Sequence, residues 1–98
     1  MALVTIVTRD VADRFRGFLS SVMLEVAPCT YVSARMSKGV RERVWKVMSE
    51  WHTSEPRGSI VMIWRDREAI AGLGLAHLGV PAKTLLELDG MTIARAGG

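Results

Sequence analysis

The stretch Val4-Thr5-Ile6-Val7-Thr8-Arg9-Asp10 runs straight into Val11-Ala12-Asp13-Arg14-Phe15-Arg16-Gly17-Phe18-Leu19, and its apolar period changes midway. Up to Thr8 the residues are β-branched or aliphatic without a break, the mark of a strand buried between neighbours. From Val11 the apolar positions are Val11, Phe15, Phe18, Leu19 and Val22, which is helical spacing. A central strand therefore feeds an amphipathic helix over about residues 11–22. Asp10 stands at the junction with two roles open to it. It can cap the helix by accepting from the free amides of the first turn, with Asp13 answering three residues on. It can also present a strand-end carboxylate to Mg2+, the more so if a symmetry mate brings a second one close. Arg9, Arg14 and Arg16 crowd the same junction and suggest a surface that grips phosphate. Gly17 is costly inside a helix, by about 1 kcal/mol relative to alanine, and implies close packing there.

Working outward, Leu24 to Ala27 and Tyr31 to Ala34 read as short strands joined through Pro28-Cys29-Thr30 as a hairpin. Proline lacks a backbone donor and belongs at such a turn or edge. Ser37 caps a second helix whose apolar face is Val40, Val44, Val47, Met48 and Trp51. Pro56 and Gly58 end it. Ser59 to Trp64 is the second strong strand. The order strand, helix, hairpin, helix, strand predicts an α+β chain, a ferredoxin-like βαββαβ sandwich. Two helices cover one sheet face and leave the other to be covered by something else.

Beyond Trp64 the chain carries an extra strand or hairpin segment. Arg65 to Glu68 is a charged turn, and Ala69 to Leu78 is apolar, dotted with glycine and compatible with an extended strand. Thr84 to Leu88 and Met91 to Arg95 flank Asp89-Gly90, a strong hairpin signal. Residues 1–66 thus read as the core and 67–98 as a strand segment that docks on a partner chain, within one domain. A terminal hairpin is marginal alone, which directs Leu86, Leu88, Met91 and Ile93 toward a partner.

Ninety-eight residues, 49% of them hydrophobic, suffice for one domain with a real core; at this size about 60–65% of the unfolded surface becomes buried. Neither a signal-peptide core nor a membrane-spanning run is present, and a lone Cys29 excludes a disulfide framework. A reducing cytoplasm, with no membrane contact, is the expectation, with Cys29 a buried structural thiol. The formal charge is +3, but residues 1–46 hold eight basic and four acidic side chains, whereas residues 47–98 hold five and six. Ten of the thirteen cations are arginine, the better bidentate partner for phosphate. Solvated helix faces and a phosphate-tracking surface both satisfy that pattern. Gly72-Leu73-Gly74 lacks the strand–turn–helix setting of a nucleotide loop. His52 and His77 have no ligand-spaced companions. The aromatics fall mostly at core positions, which disfavours stacking on single strands and favours a duplex held without sequence readout.

The order and spacing of several short motifs resemble the CRISPR-associated protein 2 family, in its type I-E branch, along nearly the whole chain. They are Val4 to Thr8, Arg14-Phe15-Arg16-Gly17 with Leu19, Leu24-Glu25-Val26, Tyr31-Val32, the Ser37 to Trp45 helix start, Val61-Met62-Ile63-Trp64 and Leu88-Asp89-Gly90. The resemblance implies a ferredoxin-like homodimer that bridges dimers of the CRISPR-associated protein 1 integrase. Its surface would carry double-stranded spacer-precursor DNA while the integrase performs the strand transfer. Arg14 and Arg16 match family arginines that touch the DNA backbone, and Lys38 and Arg41 are similar candidates. Two positions depart from the family pattern. Members often place an acidic residue directly after the threonine ending the first strand, as a metal-dependent nuclease site; here Arg9 stands there and the carboxylate follows at Asp10. Where the branch can show two adjacent arginines before Leu-Asp-Gly, this chain has Ala82-Lys83, leaving Lys83 as the cation. The leading expectation is a non-catalytic adaptation subunit; the alternative is a Mg2+-dependent endonuclease of RNA or DNA using Asp10 across the dimer.

Overall fold

The computed structural model describes residues 2–79 and, as strands, 83–88 and 91–96. Its elements are β1 (Ala2–Arg9), α1 (Asp13–Val22), β2 (Leu24–Ala27), β3 (Thr30–Met36), α2 (Lys38–Ser54), β4 (Ser59–Arg65), a short 3-10 turn (Ile70–Gly72), β5 (Leu73–Leu78), β6 (Lys83–Leu88) and β7 (Met91–Ala96). The first five strands form one sheet in the order β2-β3-β1-β4-β5, every neighbouring pair antiparallel. The chain is α+β, and the β2-β3-β1-β4 portion with its two helices is compatible with the expected ferredoxin-like arrangement. β5 adds a fifth strand beside β4, beginning only at Leu73 because residues 70–72 coil first. β6 and β7 pair antiparallel, Leu88 opposite Met91, as the sequence predicts. The connecting Asp89-Gly90, and Ala82 before β6, lie outside the described residues.

β1 alternates strictly. Val4, Ile6 and Thr8 are buried, and Val4 and Ile6 meet Phe15 and Leu19 of α1 and Val44 and Met48 of α2 in one core, together with Tyr31, Ile60 and Met62. Burying each large aliphatic or aromatic side chain contributes about 1.5–3 kcal/mol. The opposite face of β1 is not covered: Leu3 is 53% and Val7 40% exposed. Leu24 and Val32 on one side, and Ile63 and Leu75 on the other, lie in register with Thr5 and extend that apolar face across the sheet. The uninterrupted apolar run thus serves a covered face and a bare one.

Three local expectations are corrected. Asp10 does not cap α1: the N-cap is Ala12, with no side-chain cap, and the helix starts at Asp13. Asp10 instead takes a left-handed backbone (φ 56), a region aspartate enters more readily than most residues. Gly58 lies against this bend: a Cβ there would overlap the Arg9 and Asp10 carbonyls, and its own φ is +74. Cys29 is exposed rather than buried, because it occupies the positive-φ position (φ 61) of the β2–β3 turn. Gly17 has no close packing, since an added Cβ would meet nothing within 4 Å. Ser37 does cap α2, its hydroxyl accepting from the Val40 amide at 3.2 Å.

With open space around it, Gly17 leaves only the backbone-entropy cost in α1. Gly17→Ala is expected to raise unfolding free energy by about 1 kcal/mol, read as a higher urea midpoint at unchanged m-value. A loss of stability would mean that the position has a neighbour after all.

Candidate nucleic-acid interface

The cations that sequence reasoning grouped together lie at two ends of the sheet. α1 begins where β1 ends, near Arg9. α2 begins where β3 ends, and because Met36 pairs with Ala2 that is where β1 starts. Arg14 and Arg16 therefore occupy one end, and Lys38 and Arg41 the other. Along β1, at about 3.3 Å per residue, the separation is roughly 23 Å.

At the first end, Arg14 and Arg16 flank the apolar stripe of α1 on opposite sides. The Arg14 guanidinium lies over the Trp51 indole at 4.8 Å and donates to the Trp51 carbonyl at 3.3 Å. That carbonyl also accepts from the Glu55 amide at the end of α2, so a cation there meets the negative end of the helix dipole. Trp51 is held in turn by edge contacts from Phe15 and Phe18, each at 5.4 Å between ring centres. Arg16 leans toward β2 and donates to Glu25 at 3.4 Å, with 71% of its side chain exposed. An exposed, long pair of this kind contributes about 0–1 kcal/mol, so Glu25 does not lock Arg16 away from an incoming phosphate.

At the second end, Lys38 stands 3.9 Å from Glu42 one turn along α2, both well exposed. Arg41 stacks over the Trp64 ring at 4.3 Å. Trp64 projects from β4 toward the helices, opposite Gly74 of β5, and its indole fills the place a Gly74 Cβ would take. A groove of about 390 Å3 lined by Arg41, Trp45, Lys46, Met62, Trp64 and others runs beside this stack. Trp51 and Trp64 are read from the sequence only as core residues. Their second task, supporting a guanidinium, depends on contacts between elements far apart in the chain and leaves no local signal.

Asp10 is exposed at the first end. Among the described residues no three histidine, cysteine, aspartate or glutamate side chains come together as a metal site. Mg2+ held by Asp10 and its symmetry mate would take its second carboxylate from another copy. His52 is engaged elsewhere, its Nε2 3.2 Å from the Gly58 carbonyl. Lys83, Leu86 and Leu88 lie on β6, and Met91 and Ile93 on β7. The register sets Leu86 opposite Ile93, while the side chains of all five are outside the described part.

Tyr31, directly opposite Glu25 in the β2–β3 pairing, is buried, and its phenol is pushed above 10.0 by that burial and then by the Glu25 carboxylate. The folded chain thus holds the phenolic proton more tightly than the unfolded chain, so stability is full below 10.0 and falls as pH rises through the folded value. Tyr31→Phe removes this titration. Its stability relative to wild type is expected to improve steadily as pH climbs above 10.0, measured by urea unfolding over that range; a difference independent of pH would rule Tyr31 out as the source.

Among curated proteins, none matches the chain. The model of one protein family, described as CRISPR-associated protein (Cas_Cas2CT1978), matches residues 3–93, which takes in all but the first residue of β1, every strand and helix from α1 to β6, and part of β7. The chain belongs to this Cas2-like family of CRISPR-associated proteins.

Proposed function

We propose that this protein is an adaptation subunit of the type I-E branch: a homodimer that bridges dimers of the CRISPR-associated protein 1 integrase and carries double-stranded spacer-precursor DNA. In this reading it binds the duplex without sequence preference and leaves strand transfer to the integrase. The observation that carries it is the placement of exposed cations at both ends of one sheet. A span of roughly 23 Å along β1 corresponds to about seven base pairs at 3.4 Å each, so one protomer can meet phosphates well apart on a duplex. Arg14, Arg16, Lys38 and Arg41 are the contacts on the described residues, and Lys83 on β6 is a further one. The bare apolar face through Leu3, Val7 and Leu24 supports a second copy as its cover. Leu86, Leu88, Met91 and Ile93 on the β6–β7 hairpin are the docking positions for the integrase, with residues 67–98 as the segment that completes and docks.

Each phosphate contact contributes about 0.9 to the slope of log affinity against log salt. Arg14→Ala with Arg16→Ala is expected to lower the slope for duplex binding by the integrase-bound complex by about two per protomer engaged, followed by fluorescence anisotropy over a salt series. A slope identical to wild type would remove the main support for this reading.

The endonuclease alternative, a Mg2+-dependent cleavage of RNA or DNA, is favoured by one observation. Asp10 is exposed, and the backbone of Gly58 fixes its bend. Two such carboxylates across a dimer would supply the donors, and the metal would activate water and neutralise charge on the scissile phosphate. Asparagine also tolerates the left-handed backbone, so Asp10→Asn removes the charge and keeps the bend. On the nuclease reading it abolishes Mg2+-dependent cleavage by purified protein; cleavage that survives it places the activity elsewhere.

A further inference from the structure

Two arginines outside every assignment above, Arg65 and Arg67, stand at the second end of the sheet. Arg65 closes β4 and Arg67 follows in the turn. Both are exposed, and among the described residues neither has a carboxylate within salt-bridge distance. The acidic neighbours are otherwise engaged or face outward. The Asp66 carboxylate accepts from the Glu68 amide at 3.1 Å, while the Asp66 amide donates to the Gly72 carbonyl at 2.7 Å. Those two bonds tie Asp66 into its own turn.

With Lys38 and Arg41 they line a basin of about 550 Å3, beside Ala2, Leu3 and Met36 at the edge of the bare face. No carboxylate lines it among the described residues; Glu42 approaches only Lys38, at the rim. Three arginines share this basin with Lys38, whose partner Glu42 stands 3.9 Å away; the like charges gathered there repel one another, and a polyanion relieves that repulsion. A single small anion leaves most of the charge unmatched, whereas successive phosphates of a backbone match it. One of the four is also held in place: the Arg41 guanidinium lies over the Trp64 ring at 4.3 Å, and Trp64 is seated where Gly74 has no side chain.

We infer that Lys38, Arg41, Arg65 and Arg67 form a phosphate-binding cup for duplex DNA at the β1-start end of the sheet, with Trp64 as the positioning residue for Arg41. This rests on the duplex-binding reading and deepens it: Arg65 and Arg67 become backbone contacts, and the duplex runs along β1 from the cup toward Arg14 and Arg16.

The test is a salt series of duplex DNA binding by the full chain, followed by anisotropy. Arg65→Gln with Arg67→Gln is expected to lower the slope by about two per protomer engaged, at about 0.9 for each lost phosphate contact. Arg43→Gln, an equal charge change per residue on the exposed side of α2, is expected to leave it unchanged. If Arg14→Ala with Arg16→Ala lowers the slope and the Arg65/Arg67 pair does not, the cup falls and the duplex reading stands. If neither pair lowers it, the duplex reading falls as well. An equal effect per charge from Arg43→Gln would make the attraction diffuse and overturn a local cup. So would saturable binding of inorganic phosphate that is lost in the Arg65/Arg67 pair, which would make the basin a small-anion site. For the positioning role, Trp64→Phe keeps a ring beneath Arg41 and retains wild-type affinity, whereas Trp64→Leu loses as much as Arg41→Ala, with the fold checked by circular dichroism. Should Trp64→Leu not fold, Arg41→Lys keeps the charge without the flat stack: several-fold weaker binding at an unchanged slope supports the role, and wild-type affinity overturns it.

Discussion

β1 is hydrogen-bonded on both sides, to β3 and to β4, each antiparallel, and this double pairing fixes where everything else can go. Because its neighbours run opposite to it, α1 is launched from one end of the sheet and α2 from the other. The two helices then lie antiparallel across the face formed by Val4, Ile6 and Thr8, with the end of α2 brought back to the start of α1. That return lets Arg14 reach the Trp51 carbonyl at 3.3 Å. The same geometry makes it impossible for the arginines of α1 and the cations that open α2 to act on one point. In the duplex-binding reading proposed above, they are a pair of grips on something long.

The elements and their order were legible because their signals are local. Strand runs, the helical spacing from Val40 to Trp51, the Ser37 cap and the pairing of β6 with β7 each involve residues a few positions apart, and local pattern reports them. The misreadings share a different physical origin. Asp10 has the composition of a cap, yet the approach of Gly58, 48 positions later, belongs to a bend that delays the helix to Asp13. Gly17 suggests close packing, yet whether a Cβ has a neighbour is a property of the folded surface. Cys29 is exposed because the turn needs a positive φ there, which no thiol statistic anticipates. The cations were identifiable as a set from charge counts, but a helical wheel says only which side of a helix a residue faces. It is silent on which end of the sheet that helix starts from, and the division of the site into two ends escaped the sequence for that reason.

In the proposed duplex reading, both ends solve the same problem in the same way. An arginine free in solvent loses rotamer entropy when it closes on a phosphate, at a cost of about 0.5–1.5 kcal/mol for each immobilised side chain. Laying the guanidinium on an indole orders it beforehand, and a stack at an exposed site itself contributes about 0.5–1 kcal/mol. Arg14 on Trp51 and Arg41 on Trp64 are such pre-ordered groups, one at each end, and their rings are anchored in the core by Phe15 and Phe18 or by the space over Gly74. A chain whose formal charge is only +3 cannot rely on the sheer number of its cations for electrostatic attraction. Pre-ordering a few of them raises the return from each contact, and it couples the interface to the core: the aromatic residues that close the hydrophobic layer also set the pose of the arginines above it.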